Sequence, residues 1–218
     1  MDDAVAAGRA DDLGPFAGVP MLIKDLNDVA GWPTTFASKA SDGSPRPADS
    51  LPVARLRSAG FVFSGKSTTP EFGTIPVTES DRLGRTRNPW DPDRTPGGSS
   101  GGAAAAVAAG ALPVAHASDG GGSIRIPSSC CGLVGLKPSR HRVTNDVTTM
   151  IAASTQGVVA RTVADQAAVL DVMAGPDRGA WEVAPPLARP LAAEVGTPPG
   201  RLRVPGCGGH RCQTSWRT

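Results

Sequence analysis

Two glycine-rich segments each present serine hydroxyls on nearly bare backbone, and a lysine ends an apolar run upstream of both. The segments are GGSSGG at 97–102 and SDGGGS at 118–123, and the lysine is Lys24 in PMLIKDL. A serine hydroxyl is a weak nucleophile until a base takes its proton. A lysine amine becomes such a base when burial or nearby donors lower its pKa. Glycine lets neighbouring groups approach the backbone closely, so the run before Ser123 could set a ring of N–H groups around a nucleophile. The plain alternatives are a flexible turn and a solvated lysine at a strand end.

Four other patterns compete for the same residues or lie beside them. GFVFSGKS at 60–67 satisfies the phosphate-loop pattern, which requires a strand, a loop and then a helix. Here FVF reads as the strand itself, and STTPEFG with Pro70 follows as a turn. GGSSG at 97–101 fits the G-x-S-x-G elbow, which needs an aspartate and a histidine downstream. Asp119 and His141 supply that order, although His141 sits in the polar run PSRHRVTND. HASDGGGS at 116–123 gathers His116, Asp119 and Ser123, yet triad partners normally converge from separate elements. His116, in an apolar strand, reads as a hydrogen-bonded core histidine. CGGHRC at 207–212 offers at most three ligands, short of a structural zinc site, so no metal is expected.

These residues need elements to hold them. GVPMLIKDL (18–26) reads as a short strand, and SLPVARLRSAG (50–60) as a helix with Val53, Leu56 and Ala59 on one face, stopped by Gly60. FVFSGK reads as the next strand. SSGGAAAAVAAG (99–110) reads as an alanine-rich helix without a polar face, packed close inside, and a strand to about Ala117 follows. RTVADQAAVLDVMAG (161–175) is the clearest helix: Thr162 caps it with Asp165 three residues on, and Gly175 ends it. Alternating helices and apolar strands predict an α/β layered fold. After residue 176 the chain turns proline-rich, RLRV could begin one more strand, and 205–218 has no apolar period.

The formal net charge is +2 with no basic tract, which speaks against a nucleic-acid partner. AAAAVAAGALPVAHA (103–117) is too short to span a membrane and is broken by Pro113 and His116. The acidic start, MDDAVAAGRADD, does not resemble a signal peptide, so a cytoplasmic address is expected. Cys130, Cys131, Cys207 and Cys212 form no disulfide framework.

Three blocks together carry a resemblance: GPFAGVPMLIKDL, TRNPWDPDRTPGGSSGGAAAAVAAG and SDGGGSIRIPSSCCGLVGLKPSR. In this order and spacing, from about Gly14 to Gly175, they resemble the amidase signature family of serine hydrolases. The resemblance implies a mixed sheet with helices on both faces, here incomplete, as residues 1–204 with an irregular, truncated or frame-shifted tail at 205–218. It implies a Ser–Ser–Lys triad: Lys24 as base, Ser99 as bridging serine after a cis peptide bond, and Ser123 as nucleophile. The N–H groups of Gly120, Gly121, Gly122 and Ser123 would form the oxyanion hole, with Ser100, Asp119 and Arg125 in support. Departures are mild: Ser118 stands for a threonine, Gly120 for a larger residue, and Ala103, Cys130 and Ser139 for a serine, an aromatic and a threonine.

The implied activity is hydrolysis of a small-molecule carboxylic amide, linear or cyclic, through an acyl-enzyme and without a cofactor. The resemblance leans toward amidases of the 6-aminohexanoate-cyclic-dimer type and admits a homodimer. Two alternatives stand beside it. One is the glutamine-hydrolysing subunit of a tRNA-dependent amidotransferase, which commonly has glutamine where Ile126 stands. The other is an inactive fragment, because the family's second half is missing; its loss predicts an exposed apolar face and poor solubility.

Overall fold

A computed structural model describes residues 14–145, 154–180 and 182–201. Strand β1 (Pro20–Lys24) runs parallel to β2 (Val62–Ser67), with helix α1 (Leu51–Ser58) as the crossover. A small antiparallel pair, β3 (Glu79–Ser80) and β4 (Gly84–Arg85), precedes helix α2 (Gly101–Ala108). Strand β5 (Val114–Asp119) leads into helix α3 (Arg125–Cys131), then β6 (Val134–Gly135), β7 (Thr155–Ala160) and helix α4 (Val163–Met173). Strands β5, β7 and β6 form an antiparallel sheet with β7 in the centre. The mixed strand directions match the α/β expectation. They occur as separate parallel and antiparallel ladders, and β1 lies beside β5 without sharing a ladder with it.

Helices cover both sides. Met21 and Ile23 of β1 pack with Val53 and Leu56 of α1, with Val114 and Val158, and with Leu170 and Met173 of α4. On the other side Ala103 and Val107 of α2 pack with Ala115, Ala117, Ile124 and Val159. The alanine-rich α2 is buried as its composition requires. Gly101 and Gly102 sit so close to neighbouring chain that a Cβ would lie 2.2 Å from Thr78 Oγ1 and 2.2 Å from Thr68 Oγ1, respectively.

The local signals mostly act as expected. Thr162 Oγ1 accepts a hydrogen bond from Asp165 N–H (3.0 Å) and caps α4. Pro52 at the start of α1 removes an N–H that has no helical partner there. The two-residue strands β3, β4 and β6 escape the sequence reading, and so do two longer elements. The segment RIPSSCC forms α3, which tolerates Pro127 because a residue in the first helical turn has no intrahelical acceptor for an N–H, and Gly132 at φ 68° closes it. TQGVVA forms β7, buried at every position, so it shows no alternation. The RLRV strand, from 202 on, and the 205–218 tail lie outside the described residues.

The two glycine-rich segments are bare for different reasons, and this can be measured. At Gly102 a Cβ would also fall 2.5 Å from Thr68 N and 2.7 Å from Thr68 O, backbone that cannot swing away, whereas at Gly121 nothing lies within 4 Å. Gly102→Ala should therefore cost about 1–3 kcal/mol of stability or more in a denaturation curve. Gly121→Ala should change stability by less than about 1 kcal/mol.

Candidate active site

Lys24 is the last residue of β1 and is fully buried. Its Nζ lies 2.7 Å from Ser99 Oγ, 2.9 Å from Ser100 Oγ and 3.2 Å from Ser118 Oγ. Ser99 and Ser100 form the entry to α2, where the Gly98–Ser99 peptide bond is cis. Ser118 comes from β5. Burial pulls the amine down from 10.5 to about 7, with the negative charge of Asp119 opposing the shift.

At that value a large share of the amine is neutral near neutral pH, and a neutral amine has two N–H donors and one lone pair. Ser100 Oγ donates to Ser118 O at 3.3 Å, so it must accept from Lys24. The shortest contact is to Ser99, whose Oγ accepts from Nζ. Ser118 is the partner the sequence reading passed over. Its position directly before Asp119, in a motif already singled out, was the available signal.

Asp119 ends β5 with its side chain fully buried and gathers the next loop around it. Its Oδ1 accepts from Gly122 N–H at 2.7 Å and Arg125 Nη2 at 2.9 Å. Its Oδ2 accepts from Ile124 N–H at 3.2 Å, Arg125 N–H at 3.4 Å and Arg125 Nε at 2.9 Å. Burial alone would raise its pKa, but the Arg125 guanidinium and these backbone N–H groups outweigh it and hold the carboxyl at about 2.

Asp119 and Arg125 are thus joined directly, and the same carboxylate takes up one N–H of the glycine run. Gly122 N–H points to the carboxylate, so Gly120, Gly121 and Ser123 are left as the candidate donors. Gly122 has φ 119° and must be glycine, since its Cβ would also meet Ile126 Cδ1 at 2.7 Å. Gly120 and Gly121 are exposed.

Ser123 is half-buried at the end of this loop. Its carbonyl accepts from Ser100 N–H at 3.3 Å, which ties the two serine loops together. Among the described residues no hydrogen bond joins the hydroxyls of Ser99 and Ser123; Lys24 and Ser99 are in direct contact, and Ser123 stands on the adjoining loop.

The competing patterns separate from this centre. Lys66 lies within β2, not in a loop before a helix. Its Nζ contacts Asn27 O (2.7 Å), Thr34 Oγ1 (3.0 Å) and Asp25 Oδ1 (3.2 Å), a buried structural cluster. His141 pairs with Glu182 at 2.6 Å, and among the described residues Ser99 Oγ is hydrogen-bonded to Lys24 rather than to a histidine. His116 is fully buried, and its pKa falls to about 3, through burial first and then the charge of Lys24. CGGHRC lies outside the described residues, and among those described no cluster of metal-ligating side chains occurs. No helix among them is long and apolar enough to cross a membrane.

The model of the family described as Amidase matches residues 1–207, and the chain belongs to that family. It is 48% identical over 199 residues to a 6-aminohexanoate-cyclic-dimer hydrolase of Pseudomonas sp. (strain NK87), covering 88% of this chain and 40% of the relative. It is also 48% identical over 179 residues to a glutamyl-tRNA(Gln) amidotransferase subunit of Carboxydothermus hydrogenoformans, covering 81% of this chain and 36% of that one. Among solved structures, that of a 6-aminohexanoate cyclic dimer hydrolase aligns with a TM-score of 0.84 and 44% identity, covering 93% of this chain and 44% of that chain. The chain thus spans about two-fifths of the length of such relatives.

The Asp119 clamp makes a differential prediction. Asp119→Ala strands buried N–H groups, each costing about 1–3 kcal/mol, and should lower the unfolding midpoint far more than Arg125→Ala, whose side chain is 53% exposed. Because the Asp119 pKa is depressed from 3.8 to about 2, its contribution is present above its unfolded pKa and disappears as pH falls toward about 2. Acid titration of the unfolding midpoint should show this loss in the parent and not in Asp119→Ala.

Proposed function

We propose that the chain carries the acyl-transfer centre of an amidase, with Lys24 as base, Ser99 as proton relay and Ser123 as nucleophile. The observation that carries this reading is the fully buried Lys24 amine, held at about 7 and 2.7 Å from Ser99 Oγ. Neutral Lys24 takes the Ser99 proton as Ser99 takes that of Ser123, and Ser123 Oγ attacks the amide carbonyl. The Ser99–Ser123 contact is the one that must tighten when substrate binds, as catalytic hydrogen bonds commonly do.

The tetrahedral oxyanion meets the N–H groups of Gly120, Gly121 and Ser123, each such donor being worth about 2.7–4 kcal/mol in the transition state. The relay then runs backwards: Lys24 returns a proton through Ser99 to the departing amine, the C–N bond breaks, and an ester on Ser123 remains. Water, deprotonated by the same relay, releases the acid and restores the serine. No step calls on a cofactor.

The substrate class proposed is a small linear or cyclic carboxylic amide, supported by the likeness to hydrolases of a 6-aminohexanoate cyclic dimer. The likeness to one component of an amidotransferase supports glutamine hydrolysis as the second reading; Ile126, which lies against the glycine loop, is the residue that argues against it.

Intact-mass measurement after exposure to an alkyl fluorophosphonate tests the centre directly. The 218-residue chain should gain one adduct, Ser123→Ala none, and Lys24→Ala should react about 10²-fold more slowly or worse. Because the neutral amine is the active form, the rate should climb as pH rises through about 7 and then level. A folded chain that gains no adduct would favour the inactive-fragment reading.

A further inference from the structure

We propose that His116 is a positioning residue for Lys24: its Nδ1 accepts the Lys24 backbone N–H at 3.4 Å and so lays the lysine side chain along β5 toward the serines. The inference rests on the reading of Lys24 as the base.

The need for this contact comes from strand geometry. Asp25 N–H points to β2, where it bonds Ser67 O at 3.1 Å. Successive backbone groups of a strand face opposite edges, so Lys24 N–H points away from β2. On that side β1 has no ladder partner among the described residues, although β5 lies alongside. A buried N–H without an acceptor is costly, and the His116 ring supplies the acceptor that a neighbouring strand would otherwise provide. The Lys24 carbonyl is held as well, accepting from Leu26 N–H at 2.7 Å and Asn27 N–H at 3.0 Å.

Spacing along β5 fixes the other end of the side chain. His116 and Ser118 stand two residues apart on one face of β5, about 6.6–6.8 Å along the strand, which is close to the reach of an extended lysine. His116 meets the lysine at its backbone and Ser118 meets it at Nζ. The side chain is thereby gripped at both ends by one strand, and that strand continues through Asp119 into the nucleophile loop. As an acceptor at Nδ1, the ring carries its proton on Nε2, the side chain of Gln156 on β7 acts on the ring, and burial keeps it neutral.

The contact is testable with and without chemistry. Nitrogen-15 NMR of the 218-residue chain should show the His116 ring protonated on Nε2 alone from about pH 5 to about pH 9. A ring protonated on Nδ1 would overturn the proposal. This measurement stands even if the fluorophosphonate does not label Ser123, in which case the catalytic reading fails on its own.

For function, His116→Leu removes the acceptor at similar volume, and His116→Asn keeps an acceptor at the same distance from the backbone. His116→Leu should slow labelling by about 10–100-fold, as expected for a misplaced catalytic group, and His116→Asn should return to within about 3-fold of the parent. The midpoint of the pH–rate profile should also move upward in His116→Leu, as a loosened amine regains water. The charged groups facing this region, Asp119 on β5 and the Lys66–Asp25 pair beside β2, are unchanged in both variants. A cooperatively folded His116→Leu that labels within about 2-fold of the parent, with an unmoved midpoint, would overturn the proposal. Should His116→Leu not fold, a folded His116→Asn that labels more than about 10-fold slower than the parent would do so.

Discussion

A lysine amine with no access to water is the constraint around which this structure is organised. An isolated ammonium in apolar surroundings is prohibitively unfavourable, so the group must shed its proton or find partners. Lys24 does both: burial lowers its pKa to about 7, and three serine hydroxyls surround Nζ within 3.2 Å. Those serines come from two places in the chain, the entry to α2 and the end of β5. Satisfying one amine therefore requires that β1, β5 and the start of α2 meet at a single point. The fold around that point is the means of bringing them there.

Close approach has its own demands on composition. Gly98 would place a Cβ 2.7 Å from Val77 O, and Gly101 and Gly102 face Thr78 and Thr68 in the same way. Here glycine is needed because the backbone of Val77 and Thr68 and the side chain of Thr78 already fill the space. In the second segment only Gly122 is confined, by its φ of 119° and by Ile126, while Gly121 opens onto free space. One segment is bare so that the protein can pack, and the other is bare where Gly121 faces open space beside Ser123. The same letter in the sequence answers to two different physical requirements.

This explains which features could be read from the sequence. Lys24 and the two serine loops stood out by residue type, whereas the roles of Lys24, Ser99 and Ser123 and of the Asp119–Arg125 pair came with the family resemblance; in the structure Lys24 Nζ meets Ser99 Oγ and Arg125 meets Asp119. Helix α4 was legible because Thr162, Asp165 and Gly175 mark its ends. Strand β7 was not, since a central strand buried on both faces loses the alternation that identifies strands. Helix α3 was masked by Pro127, which looks like a breaker unless one knows that it falls in the first turn. The commitment of Gly122 N–H to Asp119, and the role of Ser118 at Nζ, depend on distances that no one-dimensional pattern encodes. His116 was correctly placed in the core, but its partner, a backbone N–H of another strand, carries no side-chain signature at all.

Asp119 links the two halves of the centre. Its carboxylate organises the loop that carries Ser123, through three backbone N–H groups and the Arg125 guanidinium. Its charge also acts on Lys24, raising the amine's pKa against the larger effect of burial. Removing that charge would lower the amine's pKa further, and it would also free Gly122 N–H and loosen the loop that ends at Ser123. The order of the Ser123 loop and the basicity of the lysine are therefore set by one ionised group. That group stays ionised because the loop donates to it: the loop's hydrogen bonds hold Asp119 charged, the charge moderates the lysine, and the lysine's contacts with Ser99 and Ser100 hold the first serine loop against the second. Arg125, half exposed at the rim, supplies the neutralising charge from the solvent side.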